Sequence, residues 1–343
     1  MKVVAYSIKP FEKEFLAKAN QKKHDITLIS NPLSAETAAY AEGKEAVIVF
    51  ISDDVSVRVI NQLADLGVKY IATRSASIDH IDKGAAAKRG IKIANVPNCS
   101  PHATAEHTVA LALSLSRHLA RSEEYTHHFD FQIDELIGFN FHGKTVGIVG
   151  LGNTGLATAK IFNGMGCRVI GYDVAFPDDM TGIEQVTFEE LLQQSDVISL
   201  HTPLNNETKH LINKSAIDQM KKGVMLLNTS RGGLIDTVDA LEALQNSKIG
   251  YLGLDVYEYE KGLFFEDHEN DRIKDPLLEK LMSYPNVMIT PHQAFLTKEA
   301  LQQNADQTIK NIDLWAGNQC VGDACACAKN CKTAQSELPH RST

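Results

Sequence analysis

A run of strand-forming residues leads directly into a glycine-rich turn at Thr145–Gly155, whose sequence is TVGIVGLGNTG. The turn contains the pattern G-x-G-x-x-G, with its glycines at Gly150, Gly152 and Gly155. Placed between a strand and a helix, the first glycine permits a tight turn and the second lets the backbone approach a pyrophosphate. The third allows the helix to pack closely on the strand. This stretch therefore predicts a dinucleotide-binding domain.

The residues around this turn indicate which dinucleotide is bound. Asn153 and Thr154 open the next helix, whose N-terminal N–H groups and positive dipole end would face phosphates. Asp173 follows the next predicted strand, where a carboxylate accepts hydrogen bonds from ribose hydroxyls and repels a 2′-phosphate. NAD is favoured over NADP, while the glycine motif alone leaves FAD open.

Short strands alternate with helical stretches on both sides of the glycine motif, a pattern typical of parallel α/β sheets. We predict two doubly wound parallel-sheet domains with a cleft between them: a Rossmann NAD-binding domain over residues 101–296, and a substrate domain formed by residues 1–100 with 297–343. The predicted strands of the first hundred residues are Val3–Ile8, Ile26–Ile29, Ala46–Phe50, Lys69–Thr73 and Ile91–Ala94. Those of the Rossmann domain are Thr145–Val149, Arg168–Tyr172, Asp196–Leu200, Val224–Asn228, Tyr251–Asp255 and Val287–Thr290.

Two further features lie around these strands. A long apolar helix is expected from Pro101, with Ser100 as its N-cap. A polar stretch rich in His and Asp follows it at residues 123–134, and we read no helix there.

Composition excludes several classes of protein. A net charge of −9 and an isoelectric point of about 5.8 argue against a surface for nucleic acid or anionic membranes. The apolar run at the N-terminus is too short for a signal peptide, and the longest uncharged apolar stretch is too short to span a bilayer. We therefore expect a cytoplasmic protein.

Four of the six cysteines cluster near the C-terminus. Four thiols so close together could bind zinc or an iron–sulfur cluster, but the spacing lacks paired C-x-x-C motifs and the segment has few apolar residues. We interpret the chain after about residue 318 as a flexible tail with reduced thiols, and we predict no metal site. Cys99 and Cys167 are expected to be buried free thiols. The clustered residues are Cys320, Cys325, Cys327 and Cys331.

Three segments carry a family resemblance: Asn228–Gly232 (NTSRG), Asp255–Glu260 (DVYEYE) and Thr290–Phe295 (TPHQAF). They are similar to the D-isomer-specific 2-hydroxy acid dehydrogenases, and within that family to the bacterial fermentative D-lactate dehydrogenase branch. The resemblance runs from Met1 to roughly Gly317. It implies an NAD-dependent oxidoreductase that reduces pyruvate to D-lactate and assembles as a homodimer or homotetramer.

The chemistry of keto acid reduction calls for the residue types found in these segments. Arg231 can hold a carboxylate by a two-pronged hydrogen bond, and His292 can give and take a proton near neutral pH. Glu260 would orient the imidazole and favour its charged form, and the resemblance aligns it with the family's catalytic acid. Glu258 remains a nearby alternative on position alone. Asp255, at the end of its predicted strand, is expected to support the site.

The resemblance also indicates residues that line the cofactor and substrate sites. Those expected near the nicotinamide are Thr202, Pro203 and Asn228, and Asp255 is counted with the cofactor-binding residues as a support or as a structural residue. Backbone N–H groups of Ala76 and Ser77 would bind the substrate carboxylate, although family members often carry Gly where Ser77 stands. Phe50 and Phe295 are candidates for an apolar wall around the substrate methyl group, or else belong to the core.

Two other functions remain open at this stage. One is the same chemistry on a larger 2-keto acid. The other is a cofactor-sensing protein that acts as a corepressor, as some members of this superfamily do. Such a role does not require a proton donor, whereas Arg231, Glu260 and His292 are all present.

Overall fold

The computed structural model describes residues 1–97, 100–269 and 275–327. The chain divides into two compact units, Met1–Ser100 with Thr297–Thr343 and Pro101–Leu296. Cys99 and Cys331 lie outside the described residues, so the expectations for them are not addressed.

The first unit is built on five parallel strands in the spatial order β2-β1-β3-β4-β5. These strands are β1 (Lys2–Ala5), β2 (Asp25–Leu28), β3 (Ala46–Val49), β4 (Tyr70–Thr73) and β5 (Lys92–Ala94), with helices α1 (Lys13–Asn20), α2 (Val57–Asp65) and α3 (Lys83–Lys88). The central strand β3, AVIV, is buried at every position, as expected where both faces of a parallel sheet are covered. This order is the flavodoxin-like form of a doubly wound sheet.

The second unit begins with two helices and continues as a seven-stranded parallel sheet. Its helices are α4 (Pro101–Ser116), α5 (Leu119–His127), α6 (Asn153–Gly164), α7 (Phe188–Gln194), α8 (Lys214–Gln219), α9 (Thr237–Gln245) and α10 (Pro276–Met282). Its strands are β6 (Thr145–Val149), β7 (Arg168–Tyr172), β8 (Ile183–Gln185), β9 (Val197–Leu200), β10 (Val224–Asn228), β11 (Ile249–Leu254) and β12 (Val287–Ile289).

The strands of the second unit lie in the order β12-β11-β10-β9-β6-β7-β8. The direction in which the chain adds successive strands to the sheet reverses between β6 and β9, which makes this the topological switch point. In open α/β sheets, ligands bind at such a point, outside the carboxyl ends of the strands. The α/β fold with two doubly wound parallel sheets is confirmed. The sequence predicted six strands here, and β8 is a seventh that was missed because it has three residues, two of them exposed.

Two helices were also missed. Helix α5 occupies part of the stretch that was interpreted as merely polar, and none of its residues is buried, so it lacks the apolar stripe that marks a helix in sequence. Helix α10 starts at Pro276, with the Asp275 side chain accepting hydrogen bonds from the N–H groups of Leu277 and Leu278. No helix of the described residues is long and apolar enough to cross a membrane.

Helix α11 (Lys298–Ala316) belongs to the first unit, where Trp315 stacks on Tyr70 with ring centroids 4.7 Å apart. After α11 the chain continues along the free edge of β5 and stays in contact with the sheet. Cys325 forms an antiparallel bridge with Ala94, and the side chain of Ala324 is only 2% exposed. The expected flexible tail is therefore wrong for residues 319–327, which we call the docked tail. Its short apolar side chains and backbone hydrogen bonds hold it to the sheet edge.

Candidate active site

The glycine turn between β6 and α6 is shaped by close backbone contacts. Gly150 has φ +95°, and a Cβ there would lie 2.7 Å from the carbonyl carbon of His201. A Cβ on Gly155 would lie 1.9 Å from the carbonyl oxygen of Gly150. At Gly152, by contrast, no described atom lies within 4 Å of the Cβ position. The first and third glycines are thus required by packing, while the second leaves open space at the N-terminus of α6, as a pyrophosphate requires.

The carboxylate of Asp173 lies against the same turn. Its Oδ2 accepts a hydrogen bond from the N–H of Leu151 at 2.6 Å, and its Oδ1 accepts one from Ala175 at 3.1 Å. Asn153 and Thr154 are the first two residues of α6. This arrangement places an acid beside the glycine turn, which fits the ribose of NAD.

The segment after β9 contacts the end of β6 beside the glycine turn, and these two strands flank the switch point. The N–H of His201 donates to the carbonyl of Val149 at 2.7 Å, and Ser230 Oγ donates to the carbonyl of Thr202 at 2.8 Å. Pro203 follows as an exposed residue. Loss of hydration lowers the pKa of His201 to about 4, so its imidazole is neutral at physiological pH. Its Nε2 lies 2.9 Å from Ser199 Oγ.

The loop after β10 carries Arg231 and is held by hydrogen bonds from Asn228, the last residue of that strand. Asn228 is fully buried, its Nδ2 donates to the carbonyl of Arg231 at 2.8 Å, and its Oδ1 accepts from the N–H of Ser230 at 3.0 Å. A Cβ on Gly232 would lie 2.1 Å from the carbonyl carbon of Tyr257. Glycine here lets the loop of Arg231 pack directly against the segment that follows β11.

Asp255 organises the turn that follows β12. Its side chain is 0% exposed and accepts hydrogen bonds from Thr290 Oγ1 at 2.6 Å, from the N–H of Gln293 at 2.8 Å and from the N–H of Ala294 at 2.9 Å. Its carbonyl accepts from the N–H of His292 at 2.8 Å. The turn holds His292 at φ +54°, in the left-handed region that non-glycine residues rarely adopt. The carboxylate therefore supports the turn.

His292 and Glu260 form a direct pair. Nδ1 of His292 lies 2.8 Å from Oε1 of Glu260, and Oε2 of Glu260 accepts from the N–H of Tyr257 at 3.0 Å. The alternative acid, Glu258, lies elsewhere: its Oε1 is 2.6 Å from Nε2 of His210, and its Oε2 accepts from the hydroxyl of Thr237 at 2.8 Å. Of the two acids, Glu260 is the one that contacts His292.

Two aromatic rings lie beside the imidazole of His292. The ring of Phe265 has its centroid 5.4 Å away, and the ring of Phe295 lies edge-on at 6.4 Å. Phe295 was a sequence candidate, whereas Phe265 was not, although the Phe264–Phe265 pair was visible in the sequence. Together the rings give the imidazole an apolar flank.

The first unit holds the other predicted substrate residues, after β4. Ser75 Oγ donates to the carbonyl of Ser77 at 3.0 Å, and Nδ2 of Asn95 donates to the carbonyl of Ala76 at 2.8 Å. Among the described residues, the N–H groups of Ala76 and Ser77 donate to no protein acceptor. Both N–H groups thus remain available for an anion.

Phe50 has a different environment from Phe295. It is 4% exposed, and the guanidinium of Arg74 lies 5.2 Å above its ring. Arg74 is itself buried and paired with Glu12, with Nε 2.9 Å from Oε1. These contacts fit the core alternative for Phe50 better than an open apolar wall.

The sequence analysis missed a histidine that reaches the site from α4. Nε2 of His107 lies 3.0 Å from Thr290 Oγ1, and the neighbouring Thr108 Oγ1 lies 2.7 Å from Thr229 Oγ1. With Thr104, these residues form an i, i+3, i+4 polar face on a helix that is otherwise largely apolar. That interruption of the apolar pattern was the available signal.

The cysteines do not form a recognisable metal site in the described part of the chain. There, no three His, Cys, Asp or Glu side chains cluster in a way that could hold a metal ion. Cys167 is a buried free thiol, as predicted.

Comparison with known proteins identifies the family. The family described as D-isomer specific 2-hydroxyacid dehydrogenase, NAD binding domain, matches residues 109–294. The chain is 42% identical to the D-lactate dehydrogenase of Escherichia coli K12 over 328 residues, which cover 94% of this chain and 99% of that protein.

Solved structures agree with this assignment. The pyruvate reductase of Chlamydomonas reinhardtii superimposes with a TM-score of 0.88 at 41% identity, covering 94% of this chain and 98% of that one. A D-lactate dehydrogenase of Aquifex aeolicus, solved with NAD and lactic acid, gives a TM-score of 0.84 at 32% identity, covering 92% and 96%. The chain therefore belongs to the D-isomer-specific 2-hydroxy acid dehydrogenases and is an NAD-dependent oxidoreductase of small 2-hydroxy acids.

Proposed function

We propose that this enzyme reduces pyruvate to D-lactate with NADH. The observation that carries the proposal is the 2.8 Å contact between His292 and Glu260, which follow the neighbouring strands β12 and β11. Arg231 follows β10, the next strand of the same sheet. A proton donor, the acid that orients it and a carboxylate-binding cation thus come from three consecutive strand ends. The names of the Escherichia coli and Chlamydomonas relatives favour pyruvate among small keto acids.

Each of these three residues has a distinct role. NADH supplies the hydride that reduces the keto carbon. Arg231 binds the substrate carboxylate with its planar guanidinium. Because Nδ1 of His292 is engaged by Glu260, the proton passes to the keto oxygen from Nε2. Glu260 holds the ring in that orientation and places a carboxylate beside the group that donates the proton.

We assign NAD binding to residues 101–296. The pyrophosphate would lie at the open position of Gly152, against the first N–H groups of α6, and Asp173 would hold the adenosine ribose. The strand-end residues are assigned to the nicotinamide, with Asp255 acting through the turn that it supports. The cofactor-binding set is Gly150, Gly152, Asn153, Thr154, Gly155, Asp173, Thr202, Pro203, Asn228 and Asp255.

We assign part of the substrate binding to residues 1–100 with 297–343. The N–H groups of Ala76 and Ser77 donate to the substrate carboxylate, in keeping with their lack of acceptors among the described residues. Phe295 provides apolar contact for the methyl group, beside His292. We assign Phe50 no contact with the substrate, because its ring packs under the guanidinium of Arg74.

The enzyme is proposed to be a homo-oligomer, either a dimer or a tetramer. Five large apolar side chains are exposed in the second unit within one stretch that includes α5. Exposure of this extent is costly in a monomer and typical of a surface that a partner covers. A charged residue at Phe131 or Ile133 should reduce the assembly size measured by light scattering. The five exposed residues are Leu119 (52%), Phe129 (86%), Phe131 (70%), Ile133 (73%) and Ile137 (82%).

The test of the function is NADH oxidation with a series of 2-keto acids of increasing side-chain size. Pyruvate should give the highest kcat/KM, the reverse reaction should use D-lactate and not L-lactate, and His292→Ala should lower kcat by roughly 10²–10⁴-fold. A higher kcat/KM for a branched-chain keto acid would replace pyruvate by a larger substrate. Full activity of His292→Ala would overturn the assignment of the proton donor.

A further inference from the structure

His107 of α4 lies against Asp255, the buried acid that supports the turn of His292. Its Nε2 is 3.0 Å from Thr290 Oγ1 and 3.4 Å from Asp255 Oδ1. The side chain of His107 is 18% exposed, while that of Asp255 is 0% exposed. Three side chains from α4 and the segments after β11 and β12 thus meet at one point.

The hydrogen bonds at this point have a fixed direction. Thr290 has one hydroxyl proton, and its Oγ1 lies 2.6 Å from a carboxylate oxygen of Asp255 that also accepts a backbone N–H. An ionised carboxylate only accepts, so the hydroxyl donates to Asp255. Thr290 Oγ1 must then accept from Nε2 of His107, which therefore carries a proton.

Within the described part of the chain, His107 is also the one basic group near this acid. Among the described residues, no Lys, Arg or other His nitrogen lies within 4.0 Å of the Asp255 carboxylate. A buried carboxylate is costly unless it is hydrogen-bonded, and His107 holds the Thr290 hydroxyl that donates to Asp255.

We propose that His107 is a positioning residue for the proton donor, an inference that rests on the proposed role of His292. His107 holds Thr290 and Asp255, and Asp255 in turn accepts hydrogen bonds from the backbone N–H groups of His292 and of the two residues that follow it. A non-glycine residue at φ +54° is strained by about 1–3 kcal/mol, so this conformation persists only while its surroundings impose it. The imidazole of His107 on α4 is one of the groups that hold the turn in this conformation.

This arrangement predicts which kinetic constant changes. The glycine turn and Asp173 lie at the ends of β6 and β7 and share none of the hydrogen bonds of His107. The NADH contacts assigned to the glycine turn and Asp173 should therefore survive the loss of His107 and keep most of the affinity, while kcat should fall because a misplacement of about 1 Å can cost as much as 10²-fold in rate.

The experiment compares His107→Ala, His107→Gln and, as a control on the same helix, His102→Ala, whose side chain is exposed. We would measure kcat, KM for pyruvate, Kd for NADH by fluorescence, and Tm, beside the wild-type enzyme and His292→Ala. His107→Ala should lose roughly tenfold or more in kcat with Kd for NADH within about twofold. His107→Gln should recover most of the loss, because its amide N–H can reach Thr290. His102→Ala should match the wild type.

Three results would overturn this role. They are a folded His107→Ala with kcat within about twofold of wild type, equal losses in the Ala and Gln variants, or a Kd for NADH that weakens in step with kcat. Failure of the proposed function is distinguishable, because it would appear as an inactive wild type or an active His292→Ala.

Discussion

The carboxylate of Glu260 and the imidazole of His292 meet across two neighbouring strand ends, with Oε1 2.8 Å from Nδ1. Only two residues earlier in the chain, Glu258 points to His210 instead, with Oε1 2.6 Å from Nε2. Two acids of similar sequence context therefore have separate structural roles, and substitution can separate them.

Glu260→Gln keeps the size of the side chain and a hydrogen-bonding group but removes its charge. We expect kcat for pyruvate reduction to fall by at least about tenfold at neutral pH, because the imidazolium loses its counter-charge. Glu258→Gln is the matched control: it should lower Tm, because it weakens the contacts to His210 and Thr237, yet keep kcat within about twofold. The reverse ranking of the two variants in kcat would return Glu258 to the catalytic role.

Arg231→Lys keeps the positive charge but loses the planar pair of donors. A Lys ammonium cannot bind a carboxylate in the two-pronged geometry, so KM for pyruvate should rise by roughly tenfold or more. Because the loop is held through the main chain by Asn228, Kd for NADH should change little. Steady-state kinetics with a fluorescence titration would check both, and an unchanged KM would exclude Arg231 as the carboxylate-binding group.

Asp173→Asn should change cofactor preference without collapsing the glycine turn, because the amide oxygen can still accept from the N–H of Leu151. Removing the charge removes repulsion of the 2′-phosphate, so the ratio of kcat/KM for NADH over NADPH should narrow by roughly tenfold. Equal use of both cofactors by the wild type would contradict the role given to Asp173.

His201 gives a prediction about pH and stability. Its folded pKa of about 4 lies below the ordinary value of 6.5, so between these pH values the unfolded chain binds the extra proton. Its contribution to stability is fully present above about pH 6.5 and is lost as pH falls towards 4, a change of about 3 kcal/mol. Urea unfolding at pH 7 and pH 4.5 should show a smaller loss for His201→Gln than for the wild type. Equal losses would show that His201 is already protonated in the folded state.

The docked tail gives a prediction about packing. Ala324 is 2% exposed, whereas the adjacent Asp323 is exposed. Ala324→Asp places a charge in an apolar site and should lower Tm by roughly 5 °C or more, with Asp323→Ala as the neutral control. The same Tm in both variants would show that the docked tail adds nothing to the stability of the fold.

Regular elements were predictable where the periodicity was strong. The bounds of β6, β7 and β10 were predicted to the residue, because each strand is flanked by clear turn or cap signals. Short or exposed elements such as β8 and α5 were missed, since neither has an apolar pattern of sufficient length.

Site residues were predictable where a residue type suited to the chemistry follows a predicted strand. They were less predictable where contacts between distant parts of the chain decide which side chain lies in the site. Sequence position could not choose between Glu258 and Glu260, because both follow the same strand and only the fold places one beside His292. His107 could not be assigned, because its partners Thr290 and Asp255 are distant along the chain. The docked tail was misjudged because a sheet edge can hold a segment whose own sequence has few apolar residues.

The division of the first unit between the two ends of the chain has a consequence for how the protein is made. Its five strands emerge from the ribosome before residues 101–296, whereas α11 and the docked tail, which cover α1 and the edge of β5, emerge only after them. The intervening unit, residues 101–296, is continuous and can complete its own sheet as soon as it is released. During translation the five-stranded sheet therefore has its β5 edge open to other strands until the docked tail is made and covers it, which closes this route to aggregation.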